Sequence, residues 1–471
     1  MQAWPGSQDI KKDTMKTFGI TIMPEYIQSE GIDAVLDRFE EAGIKQVGTS
    51  PYYMIQTEEG VGHREPPIDA GSGKVRLLDR PLWGKRELWF RVIPSFIPNL
   101  ELYKGLKYQP PACDEKPDNL LNDFIAAAAG RGIKVYFQIM GAIPPALRVQ
   151  DGGPLDEDKA LLPDSNELTD PLSKNGSLAS PDILAYTQAL TKDLLEQHPG
   201  LSGIRFDWPE YPCYHIDTVF TDFNAHAEKF ALENGFDYES IKAAAGKLYQ
   251  KLQNLSNDDL SAESLFDLTN DPKIAEWLKL KTAIVTQYNK ALCETVQSYG
   301  KEAVLHAFPP PFSDITCFDF EANGKFADGI GMKLYTMHLP MILNHYGTQI
   351  MEWNPDLDES QLTAALNCWL DLGDDALETL NDYRYPTPEM EHQITKEAQI
   401  RKIKNASSKA SVTHTIAHTY GPVHDFKNRL ELSFENTADG VWVNRYAYLD
   451  DDKYGIYKEL NPNLKPEGEN V

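Results

Sequence analysis

GIRFDWPEYP, at residues 203–212, is the stretch of sequence that decides the fold. A glycine opens it, a short β-prone run follows, and two prolines close it, which is typical of a strand that runs into a loop. Phe206 and Trp208 fall on one face of this predicted strand, and Arg205 and Asp207 fall on the other, because side chains alternate along a strand. The apolar face suits packing against helices, whereas the charged face indicates the inside of a barrel.

Seven further β-prone runs alternate with helical stretches along the chain. The eight predicted strands are residues 19–24, 45–50, 134–140, 203–208, 303–308, 329–335, 412–418 and 440–446. Several helices run through a glycine into the next strand, as in AGIKQV, RGIKVY and LSGIRF, and this is the loop chemistry that joins a helix to a strand in α/β folds. The alternation predicts an α/β protein with parallel strands, a (β/α)8 or TIM barrel.

Apolar residues at helical spacing predict helices between these strands. The clearest predicted helices are residues 31–42, 120–131, 181–197, 273–299 and 426–436. Ser180 precedes Pro181, so we expect the serine to cap the third of these helices and the proline to occupy its first turn.

The chain of 471 residues is predicted to be a single catalytic barrel with additions. We expect an N-terminal extension at residues 1–16, the barrel at 17–455 and a C-terminal tail at 456–471. Two long insertions are predicted at about 52–117 and 213–299, and residues 141–181 and 368–410 form elaborated connections. The insertions and the loop at 141–181 follow strands, on the face of a barrel that carries active sites.

The composition limits the class of protein. The net charge is −26, and such a surface repels nucleic acid and anionic membranes. No run approaches the roughly 20 apolar residues of a membrane span. Five scattered cysteines (Cys113, Cys213, Cys293, Cys317 and Cys368) form no CxxC pair, which indicates buried free thiols and no cysteine metal site. The polar N-terminus carries no signal core, so we expect a cytoplasmic protein or a processed secreted or periplasmic form. The oligomeric state stays open.

Polar or ionisable residues stand at the end of nearly every predicted strand. The residues predicted to bind substrate are Glu25, Gln138, Arg205, Trp208, His306, Lys333, Tyr335, His338, His418 and Arg445, with Asn444 as an alternative to Arg445. Glu25 ends the first strand in this interpretation. His414 and His418 have the wrong spacing for a metal site on a strand, and no cofactor or metal is expected.

Asp207 and Glu210 are the predicted catalytic pair. Paired carboxylates at a barrel mouth suit the cleavage of glycosidic bonds, where one protonates the leaving oxygen and the other attacks carbon or activates water. Asp207 is assigned as nucleophile or base, because an ion pair with Arg205 would keep it charged. Glu210 is assigned as general acid. The number of basic residues suggests an anionic sugar.

The motif resembles the fourth-strand signature of a group of glycoside-hydrolase-like barrels near family 10. The resemblance covers the order of elements along the barrel and is specific at Gly203, Ile204, Asp207, Tyr211 and Pro212. It implies a glycoside-hydrolase-like TIM barrel that acts on a carbohydrate. G-x-R-x-D is also similar to the α-amylase superfamily, in which the nucleophile would fall on Asp207, and the segment is similar to the DWEYP of chitinase-like barrels.

The sequence departs from these families at the second carboxylate. Family-10 barrels place a glutamate at the end of the seventh strand, but VTHTIAHTYGP has none here. The second carboxylate is then Glu210, Glu25, or one of Asp319 and Glu321. Two other functions stay open: a polysaccharide lyase or sugar isomerase that uses rim histidine, tyrosine and lysine residues, and a carbohydrate-binding barrel without catalysis.

Overall fold

Eight parallel strands close into a barrel in the computed structural model of the chain, which describes residues 16–67, 77–112, 117–144, 152–169, 174–410 and 412–461. The strands in chain order are β1 (Thr17–Thr21), β2 (Gln46–Thr49), β3 (Tyr52–Thr57), β4 (His63–Glu65), β5 (Leu88–Pro94), β6 (Lys134–Met140), β7 (Gly203–Asp207), β8 (Glu302–Ala307), β9 (Gly329–Leu334), β10 (Thr413–His418) and β11 (Gly440–Asn444). The barrel has the order β1-β2-β6-β7-β8-β9-β10-β11 and closes from β11 to β1. All eight predicted strands and the predicted (β/α)8 fold are confirmed.

Helices surround the barrel and fill the connections. They are α1 (Pro24–Glu30), α2 (Ile32–Glu41), α3 (Leu120–Gly130), α4 (Pro181–Gln197), α5 (Ile216–Val219), α6 (Ala225–Glu233), α7 (Tyr238–Leu252), α8 (Lys273–Gln297), α9 (Phe312–Thr316), α10 (Phe320–Asn323), α11 (His338–Trp353), α12 (Glu359–Leu370), α13 (Lys396–Lys409), α14 (Val423–Asn436) and α15 (Asp451–Leu460). In α4 the Ser180 hydroxyl accepts a hydrogen bond from the Ile183 N–H at 3.2 Å, so the predicted cap is confirmed. Within the described ranges no helix has the length and hydropathy needed to cross a membrane.

The first insertion contains a small antiparallel sheet that the sequence did not predict. Strand β5 lies between β3 and β4 in it, with Tyr53 opposite Ile93. A strand as short and polar as β4, HRE, carries no alternation of apolar residues that a sequence pattern could detect. The sheet follows β2 directly, so it stands over the carboxyl ends of the barrel strands. The second insertion forms the helices α5 to α8.

The C-terminal helix α15 spans position 455, the predicted end of the barrel. The Tyr457 hydroxyl donates a hydrogen bond to the Gly19 carbonyl at 3.1 Å, and the Asn461 side chain donates to the Ala42 carbonyl at 2.7 Å. The packed structure therefore continues past 455 to Asn461. Residues 1–15 of the predicted N-terminal extension lie outside the described residues.

The lumen is filled by the indole ring of Trp442, which fits there because Gly19 has no side chain. Trp442 is fully buried there with Tyr136, Val304 and Ile416. A Cβ on Gly19 would stand 2.2 Å from the Trp442 ring, closer than any side chain allows, so this position of β1 requires glycine. The Arg205 guanidinium lies 3.6 Å from the centre of the Trp442 ring, in agreement with the predicted inward face of β7.

Trp208 does not continue the outer face of β7. The strand ends at Asp207 because Trp208 adopts a left-handed backbone conformation, with φ of 55°. Its ring stacks on Tyr214 with 5.4 Å between ring centres. The prediction that Trp208 shares a face with Phe206 is therefore wrong, since the turn reverses the alternation at this residue.

The cysteines are mostly buried, as expected. Cys213, Cys293 and Cys317 are free and buried, whereas Cys368 is free and exposed. The expectation of a buried thiol is wrong for Cys368, which lies on the solvent face of α12. Cys113 is outside the described residues.

Candidate active site

A cavity of about 360 Å³ opens at the carboxyl ends of the barrel strands, a volume within the range of small-ligand sites. Its polar and aromatic lining residues are Thr21, Glu25, Thr49, Ser50, Tyr52, Tyr53, Gln138, Tyr186, Thr187, Asp207, Tyr335, His338, His418, Asn444 and Arg445. Apolar side chains line the remainder. Glu25 and Asp207 are the carboxylates among the described residues that line it.

Asp207 lies at the end of β7, where four polar groups surround its carboxylate. The Gln138 amide donates to Oδ2 at 3.1 Å, and the backbone N–H of Trp208 donates to Oδ1 at 3.0 Å. Lys333 Nζ lies 3.5 Å from Oδ1, and His306 Nδ1 lies 3.8 Å from the same oxygen. The side chain is still 15% exposed, so it is accessible from the cavity.

Lys333 joins Asp207 to Glu210. Its Nζ lies 2.9 Å from Glu210 Oε1, and both side chains are only 1% exposed. Glu210 also accepts hydrogen bonds from the Thr316 hydroxyl at 2.7 Å and from the Phe308 N–H at 3.1 Å. Glu210 therefore lies behind Asp207, enclosed by protein, and does not line the cavity.

The electrostatics of this cluster hold Asp207 in its charged form. Burial alone would raise the pKa of the Asp207 carboxyl, but Lys333, His306 and the Trp208 N–H together hold that pKa well below its usual range. Burial opposes the charge on Lys333 as well, yet Glu210 and Asp207 raise the pKa of Lys333 above its ordinary value. Burial raises the pKa of Glu210, against the attraction of Lys333. Burial and the nearby Arg205 charge lower the pKa of His306 to about 4, so this ring is neutral near pH 7.

The predicted ion pair between Arg205 and Asp207 is not formed. Lys333 and His306 are the basic groups within 4.0 Å of the Asp207 carboxylate in the described chain, and Arg205 stacks on Trp442 one layer deeper in the lumen. The two-residue step along β7 places the Arg205 side chain below Asp207, where the large Trp442 ring offers a face for the guanidinium. The sequence identified a charged partner for Asp207 but assigned it to the wrong residue.

The structure brings seven of the predicted site residues to the cavity and leaves five behind it or beside it. Those that line the cavity are Glu25, Gln138, Asp207, Tyr335, His338, His418 and Arg445. Arg205, Glu210, His306 and Lys333 are nearly fully buried, and Trp208 packs on Tyr214. Glu25 does not end a strand as expected, because Pro24 starts α1 and Glu25 falls in its first turn.

Two histidines on the rim have defined hydrogen bonds. Nδ1 of His418 accepts the Tyr420 N–H at 3.0 Å, so the neutral ring carries its proton on Nε2. His338 Nδ1 lies 2.7 Å from the Tyr214 hydroxyl. Asn444 donates to the Tyr335 hydroxyl at 3.2 Å. These contacts fix the orientation of side chains from three strand ends around the cavity. In the described ranges no cluster of His, Cys, Asp and Glu is arranged to hold a metal ion.

Sequence reasoning missed the lining residues that come from the first insertion and from α4. Tyr52 and Tyr53 begin the strand β3 of the first insertion, and Tyr186 and Leu190 lie on α4. These residues carry no local signal of a site, because aromatic and aliphatic residues on a helix or strand are the normal pattern of a core. Only the fold brings them to the cavity.

No protein-family model matches the sequence, and no curated protein is significantly similar to it. Similar solved structures include the following three. A β-galactosidase from the psychrophilic Marinomonas ef1 has a TM-score of 0.50 and 11% identity, over 94% of this chain and 59% of its own. The glycoside hydrolase domain of PgaB (BpsB) from Bordetella bronchiseptica has a TM-score of 0.48 and 12% identity, over 94% of this chain and 98% of its own.

The catalytic domain of a β-amylase from Paenibacillus polymyxa has a TM-score of 0.48 and 9% identity, over 96% of this chain and 100% of its own. The present chain spans about three-fifths of the β-galactosidase, 59% of its length. At these identities the similarity concerns the fold alone, which is the (β/α)8 barrel described above.

Proposed function

We propose that this protein is a glycoside hydrolase with Asp207 as its nucleophile or base. The observation that carries the proposal is the charged Asp207 carboxylate on the floor of the cavity, fixed by Gln138 and Trp208 and held ionised beside Lys333. An ionised, oriented carboxylate at the end of a barrel strand is what attack on an anomeric carbon, or activation of water, requires.

Glu25 is the better candidate for the general acid. Glu210, to which the sequence analysis assigned this role, is 1% exposed and held by Lys333, Thr316 and Phe308. Its raised pKa suits an acid, but it has no direct contact with the cavity through which a proton could reach a leaving group. Glu25 is about as buried, at 2% exposed, but it lines the same cavity as Asp207. Glu210 then acts as a positioning residue that holds Lys333 against Asp207.

The polar side of the cavity supports recognition of an uncharged sugar. Gln138 and Thr49 line the cavity, and Gln138 Oε1 and the Thr49 hydroxyl have no hydrogen-bond partner among the residues that the structure describes. Two carboxylates and one arginine, Arg445, line the cavity, and Arg445 lies 3.9 Å from Glu65. Of the basic groups that suggested an anionic sugar, Arg205, Lys333 and His306 are buried away from the cavity, whereas His338 and His418 line it. An additional negative charge would meet two carboxylates with little compensation.

The alternative chemistry of a lyase or isomerase receives less support. A tyrosine or lysine that serves as its base must give up its proton easily. Burial and the nearby Asp207 charge raise the pKa of Tyr335 above its ordinary value, and the two carboxylates do the same to Lys333. Both groups therefore keep their protons near pH 7.

A panel of glycosides that differ in sugar and anomer, incubated with the wild-type protein, tests the proposal. Release of a reducing sugar from at least one of them is the expected result. An unsaturated product that absorbs in the near ultraviolet would show that the enzyme cleaves by elimination and not by hydrolysis. Calorimetric binding of a sugar without any product after long incubation would indicate a carbohydrate-binding barrel without catalysis.

A further inference from the structure

A buried arginine lies behind the strand end that carries His418. Arg429 is on α14 and is 3% exposed, and a buried guanidinium is costly unless its N–H groups find partners. Its Nε donates to Asp425 Oδ2 at 2.9 Å. Its Nη1 donates to the His418 carbonyl at 2.6 Å and its Nη2 to the Tyr420 carbonyl at 2.7 Å. One planar group therefore spans the turn at residues 418–420, and a carboxylate fixes that group from the other side.

The same turn fixes the ring of His418. Because one guanidinium holds the carbonyls of His418 and Tyr420, the Tyr420 N–H points back at His418 and donates to Nδ1 at 3.0 Å. That hydrogen bond keeps the proton of the neutral ring on Nε2. The orientation and the tautomer of His418, which lines the cavity, thus depend on a side chain of the helix behind it.

The surroundings of the turn are fitted to the guanidinium. Gly421 follows the turn with φ of 103°, and a Cβ there would stand 3.3 Å from Arg429 Nη2 and 2.8 Å from His392 Nε2. A second contact holds the turn to β11, because the Arg445 N–H donates to the Thr419 hydroxyl at 3.1 Å. This contact does not involve the guanidinium, so a change at Arg429 leaves the turn attached to the barrel.

We propose that Arg429 is a positioning residue, which holds the turn after β10 so that His418 presents one tautomer to the sugar. This inference rests on the proposed glycosidase function, in which His418 binds the substrate. Arg429 acts through His418, so its loss should weaken substrate binding and leave the chemical step at Asp207 nearly unchanged.

Arg429→Lys tests this role in turnover, since lysine keeps the charge but lacks the planar fork that spans two carbonyls. We expect KM for a glycoside that the wild type accepts to rise by roughly 2- to 13-fold, the effect of one hydrogen bond. The change in kcat should stay below about twofold. His418→Ala should also raise KM, and adding Arg429→Lys to it should have no further effect. The same rise in KM from Arg429→Lys with and without His418 would overturn the inference.

The matched control is Arg80→Lys. Arg80 is also mostly buried, and it donates to the Glu30 carboxylate at 2.7 Å and to the Leu449 carbonyl at 3.3 Å. These partners are not among the residues that line the cavity, so the variant should keep the wild-type KM.

The tautomer of His418 separates this inference from the proposed function. Nitrogen-15 NMR of histidine rings distinguishes Nδ1–H from Nε2–H, and His418→Ala assigns the signal. At about pH 8, above the ordinary histidine pKa, we expect the Nε2–H form in the wild type and a mixture of both forms in Arg429→Lys. If Arg429→Lys does not fold, Asp425→Asn loosens the guanidinium and should change both readouts in the same direction.

Each result has one consequence. The same tautomer in variant and wild type, or an unchanged KM, removes the positioning role and keeps the hydrolase. A changed tautomer in a protein that hydrolyses no glycoside keeps the dependence of His418 on Arg429 and removes the hydrolase.

Discussion

Asp207 depends on a lysine that is remote in sequence. Lys333 reaches its carboxylate from β9 at 3.5 Å and is itself held by Glu210 at 2.9 Å. The pair of carboxylates in the motif therefore has two different environments. One is open to the cavity and charged, and the other is enclosed and serves to fix the cation.

Lys333→Met tests this dependence at the level of one residue. Without the ammonium, burial is opposed less strongly, because His306 and the Trp208 N–H remain but Lys333 does not, and the pKa of Asp207 rises. Because the ionised form is the active one, the acid limb of kcat/KM should move to higher pH, by about 1–3 pH units. Lys402→Met is the control, since Lys402 is also buried but donates to the Leu370 carbonyl at 2.9 Å. A pH profile that is the same in Lys333→Met and the wild type would exclude this role for Lys333.

Glu25→Gln tests the assignment of the acid. Loss of a general acid slows substrates with poor leaving groups by about 100- to 10,000-fold, but it has little effect when the leaving group needs no proton. We therefore expect a large loss on alkyl glycosides and a small loss on nitrophenyl glycosides. If Glu210→Gln gives this pattern and Glu25→Gln does not, the acid is Glu210, as the motif alone suggested.

The two-residue period of a strand was enough to predict that Arg205 and Asp207 face the lumen. It could not identify Lys333 as the partner, because that contact depends on how β7 and β9 close around the same lumen. The same period gave the wrong face for Trp208, because the left-handed backbone at that residue ends the alternation of side chains. The local sequence pattern therefore located the site, but the roles of its residues could be assigned only from the folded structure.

Among the strands, β1 and β11 depend on each other through Gly19 and Trp442. The ring of Trp442 fills the lumen beside the position where a Cβ on Gly19 would stand, 2.2 Å away. This close approach fixes the glycine in a strand that otherwise favours β-branched residues.

Gly19→Ala should lower the free energy of unfolding by about 1–3 kcal/mol, because overpacking forces Trp442 or the backbone to move. Gly130→Ala is the matched control: no atom lies within 4 Å of a Cβ at Gly130 in α3, and alanine there should be neutral or stabilising by up to about 1 kcal/mol. Urea unfolding of both variants measures the difference. Equal stabilities would contradict the packing that the lumen shows.

The barrel strands were predictable because each is a short β-prone run, and several of them, such as β2, β6 and β7, follow a helix and a glycine. The sheet β3-β5-β4 was not, since its strands follow β2 without an intervening helix and β4 has only three residues, His63–Glu65. The sequence also gave no sign that this sheet contributes residues to the cavity. Tyr53 and Met54 line the cavity only because this sheet folds over the barrel mouth.

Buried neutral histidines make the whole molecule sensitive to acid. Burial lowers the pKa of His198 and His306 to about 4 and that of His414 to about 3. Histidines in the unfolded chain have an ordinary pKa near 6.5. Below that pH they bind protons, whereas the buried histidines of the folded chain stay neutral. Stability is therefore complete above about pH 6.5 and falls as the pH drops toward 4, by about 1.4 kcal/mol per pH unit for each histidine.

Unfolding measured between pH 6.5 and 4.5 checks this slope. His198→Gln, a change outside the site, should reduce the slope by the share of one histidine, because His198 contacts Asn122 and Phe137 rather than the cavity. The same slope in variant and wild type would mean that His198 binds its proton equally in both states.

The central claim is that Asp207 performs the chemistry of a glycosidase in this barrel. Hydrolysis of a glycoside that the wild type accepts, measured in parallel with Asp207→Asn, tests it most directly. The amide keeps the size of the side chain but removes the charge, so we expect kcat to fall by at least about 100-fold while the protein stays folded. A folded Asp207→Asn protein that hydrolyses the same glycoside at the wild-type rate would contradict the claim.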